Sequence, residues 1–206
     1  MTVTEALQAR RAIPSFEKGV GITREEIDAL INRACLAPSS MNLQPWEFLV
    51  CITDEDKARM QSVAMNQKKV SEASAVIAVV CNLDFPDHAA AVADSNIANG
   101  YFGEERKAGF ITNATAIKAN PQAVREEAIR SSNLWAMAFM LVAMEAGWHT
   151  GPMGGFVADD LAKEFGLPPS RFPVLLITIG RPNPEIKLLP RGLRFSAAEL
   201  AHYGNW

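Results

Sequence analysis

Four short polar clusters contain most of the side chains in this 206-residue chain whose grouping suggests chemistry. The first is "ARRAIPSF" (residues 9–16), where Arg10 and Arg11 stand together at the end of a predicted helix. Two readings fit them: cations capping a helix C-terminus, or a guanidinium pair holding a phosphate in its planar fork of donors. The second is "LAPSSMNLQPW" (36–46), which serves as a helix stop followed by a turn. Yet Ser39, Ser40, Asn42 and Gln44 supply more donors and acceptors than a turn needs, and an amide side chain can pair with both a carbonyl and an N–H on a heterocycle edge. The third, "HTGPMGGF" (149–156), is either a plain connection or a place where Gly154 and Gly155 let backbone N–H groups approach a ligand. The fourth, "LLPRGLRFSAAEL" (188–200), sets Arg191 and Arg194 just before a predicted helix start, where the dipole repels cations. An anionic ligand explains those two arginines better than capping does.

Side-chain catalysis finds little support. His88, His149 and His202 are scattered, with no cysteine or carboxylate at metal-ligand spacing, so no zinc site is signalled. "GPMGGF" is not a nucleophile elbow, and neither a Walker A loop nor a G-x-G-x-x-G fingerprint occurs. The carboxylates are spread along helix faces. If the protein is an enzyme, an organic cofactor carries its chemistry and no side chain is singled out as catalytic.

The elements that must position these clusters are legible. "TVTE" (2–5), "TREE" (23–26) and "SAAE" (196–199) each match the capping box that starts a helix. The second opens an amphipathic helix expected to run to Ala37, because Pro38 disfavours a helical residue before it. Residues 47–53, 74–83 and 172–180 read as strands, the last two as continuous apolar runs covered on both faces. Long helical stretches between them predict a mixed sheet with helices packed around it. The pattern weakens around residues 87–120, read as broken helices and loops making an excursion over one end of the core. Residues 121–147 read as one long helix with proline at its start and a second half apolar nearly all round, to be buried in a core or against another chain. Residues 1–206 form one domain on this reading.

Composition excludes several partners. Apolar residues make up 49% and charged residues 21%, as in a soluble globular protein. A net charge of −3 gives no electrostatic case for nucleic acid or for an anionic membrane. Cys35, Cys51 and Cys81 are odd in number and sit in apolar segments, so buried free thiols in a reducing compartment are expected. The opening "MTVTEALQARR" lacks the apolar core of a signal peptide, and the longest apolar run, residues 134–144, is too short to span a bilayer. A cytoplasmic protein is the expectation.

The order and wording of the clusters resemble the FMN-dependent nitroreductase family of flavin oxidoreductases. The resemblance covers nearly the whole chain: the N-terminal "RR", "APSSMNLQPW", "MNQKKVSEASAVIAVV", the "GPMGGF" loop, "LPPSRFPVLLITIGRP" and the C-terminal arginines. It implies an α+β fold, a three-layer α/β/α sandwich around a mixed, mainly antiparallel sheet, with two chains intertwined as a homodimer and FMN sites at their interface. Arg10 and Arg11 match phosphate-holding positions, followed by Ala12, with Arg191 and Arg194 closing from the C-terminal side. Pro38, Ser39, Ser40 and Asn42 match a wall that reaches the flavin from the partner chain. Asn66 and Lys69 match positions near the pyrimidine edge and ribityl chain, and Pro152, Met153, Gly154 and Gly155 match the loop along the ring near N5. The segment 135–144 is then dimer core.

Two positions depart from the commonest pattern. Ala12 stands where a serine often follows the arginines, and Pro14 stands where a lysine or arginine often lies near flavin N1. Either Lys69 or backbone dipoles then stabilise the reduced ring, or its potential is lower. The activity implied is reduction of a nitroaromatic, quinone or related small-molecule acceptor, with NADH or NADPH passing hydride through flavin N5 in ping-pong order. Alternatives sharing these residues are a reductase for an enal, aldehyde or haloaromatic, and a flavin-binding protein without turnover. Tyr101, Phe102 and Phe110 in the excursion are candidates to line the acceptor pocket, or simply to pack.

Overall fold

The computed structural model describes residues 1–206. Its first helix, α1 (Val3–Ala9), and second, α2 (Arg24–Ala34), both start at the expected capping boxes, with Thr2 and Thr23 accepting from Glu5 and Glu26 backbone N–H groups. The chain then alternates: β1 (Trp46–Cys51), α3 (Asp54–Val63), α4 (Lys68–Glu72), β2 (Ala75–Asn82), α5 (Ala89–Ala98), α6 (Lys107–Thr115), α7 (Pro121–Glu145), β3 (His149–Met153), α8 (Ala158–Glu164), β4 (Arg171–Gly180) and α9 (Ala197–Leu200). The third capping box, Ser196 with Glu199, opens α9. Helix α2 stops at Ala34, earlier than expected from Pro38, because Leu36 and Ala37 already bond three residues back in a tightened last turn.

Four strands form one sheet in the order β1-β2-β4-β3, and all three pairings within the chain are antiparallel. Every residue of β2 is buried. Its alternate residues feed two different cores, which is why it reads as an unbroken apolar run. Ala75, Ile77 and Val79 face α2 and α7, joining Ile27, Leu30, Trp135 and Phe139. Val76, Ala78 and Val80 face the other layer, joining Met60 of α3, Val70 of α4 and Leu161 of α8. A third cluster, with Phe85, Val92, Ala114 and Val124, secures the α5–α6 excursion to the start of α7. The excursion is a run of short helices, α5 and α6 with 3-10 turns at residues 85–88, 104–106 and 116–119, as the broken-helix pattern of the sequence implies.

The strand missing from the sequence reading is β3. It sits at the sheet edge, where Pro152 can pair with Ile177 without needing an N–H of its own. Gly151 is required there: a Cβ would come within 2.7 Å of Thr178 Oγ1 and 3.0 Å of the Ile13 carbonyl. Helix α7 buries Trp135, Phe139 and Met140 against its own sheet, whereas Leu134 is half exposed and Met137, Ala138 and Leu141 are only partly covered. No helix is long and apolar enough to cross a membrane.

The three cysteines are unpaired, with Cys51 and Cys81 buried and Cys35 partly exposed. Burial pushes the Cys51 thiol up to about 12 and the Cys81 thiol up to about 11. Unfolded thiols ionise near about pH 8.5, so the stability these two contribute is complete below that pH and is lost as pH climbs toward 11 and 12. In the native protein at pH 8, Ellman's reagent should therefore titrate Cys35 alone, and the other two only after denaturation. Prompt reaction of all three thiols would mean that the sheet opens readily.

Candidate functional site

The segment after α1 is pinned to the β3 edge, where Ile13 donates its backbone N–H to the Thr150 carbonyl at 3.2 Å. Further along, Glu17 donates its backbone N–H to the Arg181 carbonyl at 2.9 Å and Phe16 bridges to Pro182, so the segment is held to the sheet at several points. Helix α4 packs on the same segment, with Val70 sharing a core with Ile13 and Met153, and with Glu72 accepting from Ser15 Oγ at 2.9 Å. Gln67, not singled out in the sequence, joins the two loops by donating from Nε2 to the Gly155 carbonyl at 2.8 Å. Its partner lies far along the chain, so no local pattern signals the bond. Gly154 faces open space, whereas a Cβ on Gly155 would meet Gln67 Nε2 at 2.9 Å.

A cavity of about 490 Å³ is lined by Arg10, Arg11, Ala12 and Pro14 on one side and by the C-terminal arm, including Lys187, Arg191 and Arg194, on the other. The arginines do different jobs. The Arg191 guanidinium donates to the carbonyls of Leu7, Gln8 and Arg10 at 2.9–3.2 Å. These are the free carbonyls at the end of α1, so capping is the task of Arg191 rather than of Arg10 and Arg11. Arg11 holds the Leu189 carbonyl at 2.8 Å, and Arg194 holds Gly192 and Leu193 carbonyls in its own loop. Together Arg191 and Arg11 fasten the C-terminal arm across the cavity.

Arg10 is the exception. Its Nε is buried without a hydrogen-bond partner. Burial first, and then the charges of Arg191 and Arg194, hold its guanidinium below the usual arginine range. A buried donor facing two like charges is costly unless an anion joins it. Lys69 on α4 is likewise half-buried, and desolvation holds its ammonium below the usual lysine value. Asn66 is exposed in a left-handed conformation (φ 52°), its backbone tied to Gln61 at both N–H and carbonyl.

The remaining predicted residues lie elsewhere. Pro38, Ser39, Ser40 and Asn42 precede β1, on the sheet edge opposite β3, so one chain does not bring them to the arginine cavity. Their loop is braced internally: Ser39 Oγ accepts from Gln44 N–H at 3.0 Å, and Gln44 Nε2 donates to the Asn42 carbonyl and Oδ1 at 3.2 Å. His88 anchors it from the excursion through Nδ1 and the Leu43 carbonyl at 2.8 Å. Met41, Asn42 and Gln44, with Met65 and Asn66, are the chain's only non-glycine residues at positive φ. All five fall in two of the segments expected to bind, and such strain persists where a site over-determines the backbone.

A three-layer antiparallel sandwich with a cavity lined by four arginines and no acid–base pair suits an anionic organic cofactor. The chain belongs to the nitroreductase family, whose family profile, described as "Nitroreductase family", matches residues 7–181. It is similar to the Bacillus subtilis protein YdgI, at 35% identity over 88% of each chain. The oxygen-insensitive NAD(P)H nitroreductase of Salmonella typhimurium is 29% identical over 85% of each chain. Among solved structures, a nitroreductase-type protein from Exiguobacterium sibiricum in complex with FMN superposes with a TM-score of 0.89. That pair is 31% identical, and the match covers 98% of this chain and 97% of the other.

Proposed function

We propose that this chain is an NAD(P)H-dependent FMN oxidoreductase that reduces nitroaromatic, quinone or related acceptors, and that it works as a homodimer. The observation that carries the reading is Arg10: its Nε is buried without a partner, and the residue lines a cavity with three further arginines and no carboxylate. A flavin phosphate fits there, because it offers the acceptor oxygens and the negative charge that Arg10 lacks. Arg10, Arg11 and Arg194 hold that phosphate, while Arg191, engaged with α1, keeps the arm in place. When bound, FMN supplies the redox chemistry, taking two electrons as hydride from NADH or NADPH and passing them to the acceptor.

The chain's own residues position and tune. Ala12 and the backbone of Pro152, Met153, Gly154 and Gly155 would lie along the flavin, and Gln67 ties Gly155 to the Asn66–Lys69 segment. Pro14 lines the cavity without charge, so Lys69 or backbone dipoles would offset charge on the reduced ring. The wall from Pro38 to Asn42 completes the site from a second copy, since its own chain keeps it on the far sheet edge. The partly covered α7 residues Leu134, Met137, Ala138 and Leu141 supply apolar surface for that partner. Three unpaired thiols agree with a cytoplasmic setting.

Two tests follow from this division of labour. Ser40→Ala combined with Asn42→Ala should weaken FMN retention about tenfold while the dimer persists on a sizing column. Unchanged FMN affinity would return that loop to being only a braced turn. Initial rates at varied NAD(P)H and acceptor should give parallel double-reciprocal lines, because one pocket serves both in turn. Intersecting lines would require both to be bound together and would contradict this reading.

A further inference from the structure

Residues 38–44 make one hydrogen bond to the rest of the chain, and it comes from a histidine. His88 donates from Nδ1 to the Leu43 carbonyl at 2.8 Å, across 45 positions of sequence. A carbonyl only accepts, so Nδ1 carries a proton. No backbone N–H reaches that carbonyl. The loop's other bonds stay inside it: Asn42 and Leu43 N–H to the Ser39 and Ser40 carbonyls, Gln44 N–H to Ser39 Oγ, and Gln44 Nε2 to Asn42. They act on a backbone in which Met41, Asn42 and Gln44 are all left-handed, at φ 49°, 58° and 47°. L residues disfavour that conformation, so an unanchored loop relaxes out of it. The Leu43 side chain, buried in the cluster with Phe85, Ala89 and Val92, seats the loop on the excursion. Apolar burial is non-directional and does not aim the peptide, whereas the His88 bond does. His88 stands at the N-cap of α5, yet its side chain makes no capping bond, so helix capping does not account for the imidazole.

We infer that His88 is the positioning residue of the flavin wall: its grip on the Leu43 carbonyl keeps Ser40 and Asn42 in the orientation that reaches FMN. The inference rests on the function proposed above, in which that loop completes the partner's site. One chain's excursion then sets how tightly the other chain's flavin is held. His88 needs no contact with the cofactor to do this. It raises the fraction of molecules with the left-handed loop in place, and affinity falls in proportion when that fraction falls. The effect is bounded by the loss of about tenfold expected on removing the Ser40 and Asn42 side chains themselves.

The experiment compares the parent protein with His88→Ala and His88→Asn. Alanine removes the donor. Asparagine restores one, because its amide nitrogen lies as many bonds from Cα as Nδ1 does. Hydrogen exchange of the Asn42, Leu43 and Gln44 amides, each bonded inside the loop, reads the loop in the FMN-free protein. Fluorescence titration with FMN reads the site. In His88→Ala those amides should exchange about fivefold faster, and FMN should bind about five- to tenfold more weakly. Both should return towards the parent values in His88→Asn. Unchanged exchange in His88→Ala overturns the inference, as does a failure of asparagine to restore what alanine loses. Faster exchange with unchanged FMN affinity removes the flavin wall itself, and the inference with it, which separates failure of the underlying reading from failure of the anchor.

Discussion

Arg10→Ala should yield a protein that folds normally and is purified nearly free of FMN. Truncation removes the one guanidinium whose Nε is buried with no acceptor, in a cavity already crowded with Arg11, Arg191 and Arg194. Without a ligand, this side chain bears desolvation and like-charge repulsion and gains no bond in return. Its loss should leave the melting temperature of the FMN-free form unchanged or slightly raised. With FMN bound, the same group makes charge-assisted bonds worth about 3 kcal/mol together, so FMN should bind about 100-fold more weakly. Arg191→Ala provides the contrast, because it strips three carbonyl partners from the end of α1 and should loosen the C-terminal arm as well. Full FMN occupancy in Arg10→Ala would move the phosphate elsewhere.

The largest effect on stability is expected at Trp135. Its ring is wholly buried in α7, 4.0 Å from the Phe48 ring centroid of β1 and 5.0 Å from that of Phe139. It thus ties the long helix to the sheet. Trp135→Ala should cost about 3–5 kcal/mol through lost contacts and the cavity left behind. For a chain of this size that lowers the melting temperature by roughly 10 °C or more. Trp135→Phe should be far milder, because the indole Nε1 has no hydrogen-bond partner and its removal abolishes an unsatisfied buried donor. Differential scanning calorimetry of the two variants checks the pair. A small shift for Trp135→Ala would mean that α7 is held mainly by other contacts.

Much of this was readable before the fold because the relevant physics is local. Thr2, Thr23 and Ser196 each mark a helix start with a glutamate three residues on, and all three boxes form. The apolar run of β2 announces a strand covered on both faces. Strand β3 escaped because its Gly151 and Pro152 are turn-like by type, and only an edge position beside Thr178 and Ile13 makes them acceptable in a sheet. The site divides in the same way. Arg10 and Gly154 stood out by residue type and Asn66 only through the family resemblance, whereas the Gln67–Gly155 bond and the capping of α1 by Arg191 span 88 and more than 180 residues. The edge that separates Ser39 and Asn42 from the arginines is likewise a matter of strand order, which spacing along the chain does not encode.

The central claim is that the arginine cavity holds FMN and that the flavin turns over with a pyridine nucleotide. It is tested most directly by releasing and identifying the flavin of the purified protein, and by mixing the holoprotein with NADH or NADPH without oxygen. The account predicts FMN at a one-to-one ratio with the chain, and rapid bleaching of its visible absorbance by at least one of the two nucleotides. A colourless protein that takes up no added FMN, or a bound flavin inert to both nucleotides, would contradict it.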